Sequence, residues 1–149
     1  MDYKMIEKDS FTVAGVRRTT PYAGGTWNIV KSDGSIEKMQ KIAGENFISL
    51  GLCFGFNDDG SNDYMCGFES GGYETGDFDK YTYPKSSWLV FEVSGAISEG
   101  VLGATWKRIY GEFLPQSEYC QSELPTIERY IEWDENNDKC NVEIMIPIC

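Results

Sequence analysis

Two stretches of the chain carry the same series of landmarks, and this repeat restricts the fold more than any single motif. "GGTW" at Gly24–Trp27 returns as "GATW" at Gly103–Trp106, an offset of 79. The strand-like "FTVAGV" (Phe11–Val16) precedes the first copy and "WLVFEV" (Trp88–Val93) the second, with Phe11 and Trp88 77 positions apart. Downstream, Gly51–Ser70 and Arg129–Pro147 share one layout of strand, Asp/Asn turn and strand; Leu52 lies 79 before Ile131 and Tyr64 78 before Val142. Self-similarity at one period marks a duplicated supersecondary unit. It predicts two β-α-β-β units, roughly 3–78 and 80–149. Halves of this kind pack about a pseudo-two-fold axis, with antiparallel strands and both helices on one side. The length of 149 residues suits one domain over 1–149.

The second helix is the clearer one. Leu102, Trp106, Ile109, Tyr110 and Phe113 form an apolar stripe at helical spacing, with Ser98 as its N-cap and Leu114-Pro115 as its end. In the first unit "TWNIVK" and "SIEKMQKIAG" are split by the turn signal Ser32-Asp33-Gly34, which predicts a broken helix ending near Gly44. Ser70–Pro84, rich in Gly and Asp, reads as the linker between units.

Alternation along the strands sorts residues by face. Ile48, Leu50, Leu52, Phe54 and Phe56 form a continuous apolar face, expected under the helices. Its reverse, Ser49, Gly51, Cys53 and Gly55, is a trough of small residues. Bare glycines weaken strands, so either another chain segment or a ligand is expected to fill it. The matching strand of the second unit sets Ile127, Arg129, Ile131 and Trp133 on one side, expected in the core apart from Arg129, and Glu128, Tyr130 and Glu132 on the trough side. The same parity turns Trp88, Val90 and Glu92, and Glu143, Met145 and Pro147, to the face away from the helices. Parity leaves the third strand undecided between its Tyr64 and Met65 faces; Met65 is carried as a groove candidate. Aromatic walls beside a partly desolvated carboxylate suit a bulky organic cation. A solvated sheet face explains the same pattern.

Composition removes several classes of function. Twenty-four acidic against thirteen basic residues give a formal charge of −11, which repels a phosphate backbone. Direct nucleic-acid binding by this chain is therefore not expected, whereas cationic ligands are favoured. The chain has no histidine, which excludes Ser-His-Asp and Cys-His arrangements and the usual zinc sites. Chemistry would have to run on carboxylates, phenols, thiols or water, and no cofactor or metal is called for. The five cysteines (53, 66, 120, 140 and 149) are odd in number and form no Cys-x-x-Cys. With no basic-then-apolar leader before Tyr3, they read as free thiols in a reducing cytoplasm. No apolar run approaches the ~18 residues of a membrane span. "NDDGSND" (Asn57–Asp63) lacks the spacing of a calcium loop and reads as a hairpin turn, and Arg17-Arg18 reads as a surface pair.

"EKDSFTVAGVRRTTP", "W…IYGEFLPQSEY", "LPTIERY" and the terminal "VEIMIPI" together resemble the GyrI-like small-molecule-binding family, which includes effector-binding domains of AraC-type and multidrug-sensing transcription regulators. The resemblance covers essentially the whole chain. It implies an α+β fold in which two β-α-β-β units form a curved antiparallel sheet, with two helices on one face and a ligand groove on the other. It further implies a groove glutamate within the segment matching "PTIERY", which here is Glu128. Trp88, Trp106 and Tyr130 are then the aromatic wall candidates, joined by Met145, Gly51, Cys53 and Met65 from parity. Trp106 also belongs to the helical stripe, so it is shared between core and groove.

The expectation is a non-catalytic binding domain for a lipophilic, cationic small molecule, either a stand-alone sensor or the effector domain of a regulator whose DNA-binding part is fused or separate. Two rivals follow from the same resemblance: a hydrolase of cyclopropane-bearing toxins working through Glu128, and a module that binds gyrase or another protein.

Overall fold

A computed structural model describes residues 1–22 and 24–149 of the chain. In chain order the elements are β1 (Lys4–Lys8), β2 (Phe11–Thr20), α1 (Gly25–Ser32), α2 (Ser35–Ala43), β3 (Ser49–Phe56), β4 (Asn62–Glu69), β5 (Asp79–Tyr83), β6 (Ser86–Gly95), α3 (Val101–Arg108), β7 (Thr126–Asp134) and β8 (Lys139–Ile148). The eight strands form one antiparallel sheet in the order β1-β6-β8-β7-β3-β4-β2-β5. Matching β1 with β5, β2 with β6, β3 with β7 and β4 with β8 makes this order read the same from either end. The α+β class expected from the sequence is the one found.

Each half contains one strand more than expected. β5 lies inside the stretch read as linker, where Tyr81 and Tyr83 alternate with Lys80 and Thr82. The leading strand of each half pairs with the other half: β1 lines the outer edge of β6, and β5 that of β2.

That exchange bends the sheet. β1 and β2 stand six inter-strand steps apart yet are joined only by Asp9-Ser10. Laid flat, six steps of about 4.8 Å would separate them by ~29 Å. The three virtual bonds from Lys8 to Phe11 reach at most ~11 Å. Pro84-Lys85 sets the same condition on β5 and β6. The sheet therefore curls until its two ends meet. Gly15 and Gly67 face each other where β2 and β4 approach closely, and a Cβ on Gly15 would come within 2.0 Å of the Cys66 carbonyl oxygen.

The curl buries the face away from the helices, and this overturns the expected assignment of faces. Leu50 and Leu52 point into the curl and not under the helices, among Met65, Ile127, Met145 and Trp88. Phe11 stacks on Tyr83 at 4.7 Å, Tyr83 meets Trp88 edge-on at 5.2 Å, and the Tyr83 hydroxyl donates to the Pro125 carbonyl at 3.0 Å. On the other face, α1 and α2 cover Ala14, Val16, Cys66 and Phe68, whereas α3 covers Leu89, Phe91, Val142 and Ile144.

The helices differ from expectation in detail. α1 and α2 do break at Asp33-Gly34, where Gly34 has φ 85° and the Ser35 amide donates to the Asp33 carboxylate at 2.9 Å. α3 starts after Gly100 (φ 66°), and Ser98 binds Asp138 instead of capping it. The helix does not stop at Leu114-Pro115; a π-helical turn, Ile109–Phe113, and a final turn, Leu114–Gln116, extend it. Asn57–Ser61 forms the β3–β4 hairpin turn, and Arg17 and Arg18 pair with Asp63 and Asp79.

Replacing fully buried Trp88 by Ala is expected to cost roughly 3–5 kcal/mol, read as a lower denaturant midpoint with an unchanged slope.

Candidate ligand-binding site

α1 and α2 sit over β2 and β4, α3 over β6 and β8, and the central pair β3–β7 runs between them. Glu128 of β7 stands directly opposite Gly51 of β3 on this helix-facing side. Gly51 lets the Tyr64 side chain of β4 lie across it: a Cβ at this position would fall 1.8 Å from the phenol oxygen. The small-residue trough is thus filled, in part, by a neighbouring phenol.

The Glu128 carboxylate is met by three donors. The Tyr64 and Tyr130 hydroxyls both donate to Oε1, at 2.9 and 2.7 Å. The Trp106 indole N–H donates to Oε2 at 2.8 Å. Behind Tyr64, the Trp27 indole N–H donates to its hydroxyl at 3.2 Å. All these donors are neutral, and among the described residues Glu128 takes part in no ion pair. Oε1 has both lone pairs engaged and Oε2 only one, which leaves one acceptor direction open.

Around the carboxylate lies a cavity of about 780 Å³. Gly51, Cys53, Tyr64, Glu128 and Tyr130 form its floor, Trp27 and Trp106 its two sides, and Gln121–Leu124 part of its rim. Trp27 meets Tyr130 edge-on at 5.3 Å, and Trp106 stacks on Tyr110 at 5.6 Å with the rings 8° from parallel. Trp106 and Tyr110 face each other across the junction between α3 and its π-helical turn, a feature often found beside functional sites.

Burial raises the Tyr64 and Tyr130 phenols well above their ordinary range, and the Glu128 charge adds to the shift in both. They remain protonated and able to donate. Burial, then the same charge, pushes up the Cys66 thiol beneath.

A model of the GyrI-like small molecule binding domain matches residues 1–148. The chain belongs to the GyrI-like family. No curated protein sequence matches it. Among solved structures this GyrI-like domain is similar to SAV2435 bound to tetraphenylphosphonium, with 23% identity, a TM-score of 0.80, and 100% of this chain against 94% of that one. It is similar also to a putative bacterial transcription regulation protein from Staphylococcus aureus MU50, at 25% identity and TM-score 0.74, covering 99% and 98%. EcmrR in complex with DNA matches at 14% identity and TM-score 0.67; this chain spans only 57% of that one.

The structure of the GyrI-like domain brings Glu128, Tyr130, Trp106, Gly51 and Cys53 together at the cavity. It sets Trp88, Met65 and Met145 elsewhere: all three are buried inside the curl, across the sheet from Glu128. Glu128 and Gly51 do not lie on the expected face opposite the helices but face the gap between them; a smaller cavity of about 470 Å³ lies on the opposite face, beside Leu50, Ile127 and Met145. Glu132 also leaves the expected face. A β-bulge between Tyr130 and Glu132 reverses the parity of β7, so Trp133 joins Tyr130 at 5.6 Å while Glu132 turns to Lys139 at 3.7 Å. Ile131 and Trp133, expected in the core, are exposed. Trp27, Tyr64 and Tyr110 were not foreseen at the site. Trp27 was available from the repeat, as the counterpart of Trp106.

Two measurements test this geometry. Gly51→Ala is expected to push the Tyr64 phenol off Glu128 and cost about 1–3 kcal/mol, read by chemical denaturation. The second uses pH. A folded-state phenol pKa above the unfolded value of 10.0 gives stability that is present below about pH 10 and lost as the pH climbs further. Tyr130→Phe should therefore flatten the fall in denaturant midpoint between about pH 9 and pH 11.

Proposed function

We propose that the cavity binds a lipophilic organic cation, with Glu128 as its counter-charge and Trp27, Trp106 and Tyr130 as its aromatic surround. The observation that carries this reading is a carboxylate held by three neutral donors, with no basic partner among the described residues, at the floor of an aromatic cavity. Such a group has three of its four acceptor directions filled and its charge uncompensated, and a lipophilic cation that asks for little hydrogen bonding fits that remainder. Ring faces contribute roughly 0.5–2 kcal/mol each to a cation placed against them, and the net negative field of the chain favours its approach. SAV2435, of the same fold, was solved with tetraphenylphosphonium, an ion of this description. Cation binding would make the domain a sensor, acting alone or as the effector-binding part of a transcription regulator; EcmrR, which shares the fold, was solved in complex with DNA.

Tetraphenylphosphonium titrated against tryptophan fluorescence tests the reading. Trp27 and Trp106 border the cavity, so saturable quenching is expected. Glu128→Gln keeps the side-chain shape and removes the charge, and should weaken binding by ~1.5–3 kcal/mol, roughly ten- to hundredfold. Equal affinity in the variant, or equal affinity for a neutral tetraphenyl analogue, would refute the counter-charge role.

A further inference from the structure

Past the end of α3 the chain runs back along the last residues of β8. Gln121 and Ile148 are bridged antiparallel, the Ser122 amide donates to the Pro147 carbonyl at 2.9 Å, and the Cys149 amide donates to the Cys120 carbonyl at 2.8 Å. This pattern makes Cys120 and Cys149 the next directly opposed pair. Residues opposed in this way have Cα atoms about 5.5 Å apart, inside the ~4.4–6.8 Å that a disulfide bridges. Both are exposed, whereas Cys53 is half-buried and Cys66 and Cys140 are buried. The Cys149 thiol is raised above its ordinary range, with neighbouring Cys120 as the first cause.

The pair sits at the root of the groove rim. Gln121 through Leu124, the residues that follow Cys120, border the cavity. The Gln121 amide donates to the Tyr110 hydroxyl at 3.1 Å, Tyr110 stacks on Trp106, and Trp106 donates to Glu128. An unbroken series of contacts thus joins the thiol pair to the half-buried carboxylate.

We propose that Cys120 and Cys149 form a reversible dithiol–disulfide site whose oxidation staples the groove rim to β8. The oxidant is a low-molecular-weight disulfide. One cysteine thiolate attacks a sulfur of that disulfide, giving a mixed disulfide and releasing one small thiolate. The second cysteine thiolate then attacks the protein-side sulfur, forming the Cys120–Cys149 bond and releasing the second small thiolate. Two thiols are oxidised and one disulfide is reduced; the two cysteine protons pass to the released thiols. Excess small thiol reverses both steps. This inference does not depend on what the groove holds.

The folded chain, treated with excess oxidised glutathione, is assayed by thiol counting and peptide mapping. Free thiols are expected to fall from the five of the sequence to three, with one intrachain cross-linked peptide joining 120 to 149 that dithiothreitol releases. Cys120→Ser, which leaves Cys149 without its partner, should instead retain a glutathione adduct at Cys149. Amide hydrogen exchange over residues 121–126 should slow roughly tenfold in the oxidised wild type and stay unchanged in the variant. Five thiols remaining, loss of thiols at Cys53, Cys66 or Cys140, or a cross-link between two chains would overturn the site. Equal exchange in the oxidised and reduced forms would overturn the stapling. No readout uses a groove ligand, so these outcomes stand apart from the cation titration.

Discussion

Two connections of two residues each, Asp9-Ser10 and Pro84-Lys85, govern the rest of the molecule, because each joins strands from opposite ends of an eight-stranded sheet. The curl they enforce gives the sheet a buried face that no helix covers. Trp88, Tyr83, Leu52, Met65 and Ile127 fill it. The helices are then not needed to cover the whole of the opposite face. They cover its two flanks, and the middle seam between β3 and β7 is left for a cavity.

At that seam the polar chemistry is shared between the halves. Tyr64 and Trp27 come from the first half; Tyr130, Trp106 and Glu128 come from the second. Leaving a half-buried carboxylate without partners would be costly. Here the partners are two phenols and an indole, which satisfy the oxygens and leave the charge in place. Gly51 belongs to the same arrangement, since the space it leaves is where the Tyr64 hydroxyl reaches the carboxylate. Positions far apart in sequence are thereby constrained together.

Much of this was legible in advance. The strand–turn–strand layouts anticipated β3–β4 and β7–β8, the Asp33-Gly34 break was marked by its turn residues, and Glu128, Tyr130, Gly51 and Cys53 fell on one face by alternation. The misplaced faces share one cause. Alternation says which residues are together but not which side of the sheet they are on. With a single buried face assumed, the apolar row Leu50–Leu52 was assigned to the helices, and Trp88 and Met145 went with the groove. A curled sheet has two buried faces, and local pattern carries no sign of the curl. The bulge after Tyr130 is a separate case, in which the alternation itself breaks: Ile131 and Glu132 look regular in sequence, and the extra residue shows only in the register with β8. β5 was hidden by its surroundings, five strand residues beside a glycine-rich approach.

The exchange of leading strands has a consequence for the order of assembly. β1 finds its partner only when β6 exists, roughly 80 residues later in synthesis, and β3 meets β7 at a similar remove. The first half, emerging alone, would display the outer edge of β2 and the inner edge of β3 without neighbours, an invitation to pair with other chains. Contacts of such long sequence separation slow folding through loop-closure entropy. The two halves are better regarded as one interlocked knot of pairings than as modules, and a nascent chain must keep its open edges apart until the second half arrives to close them.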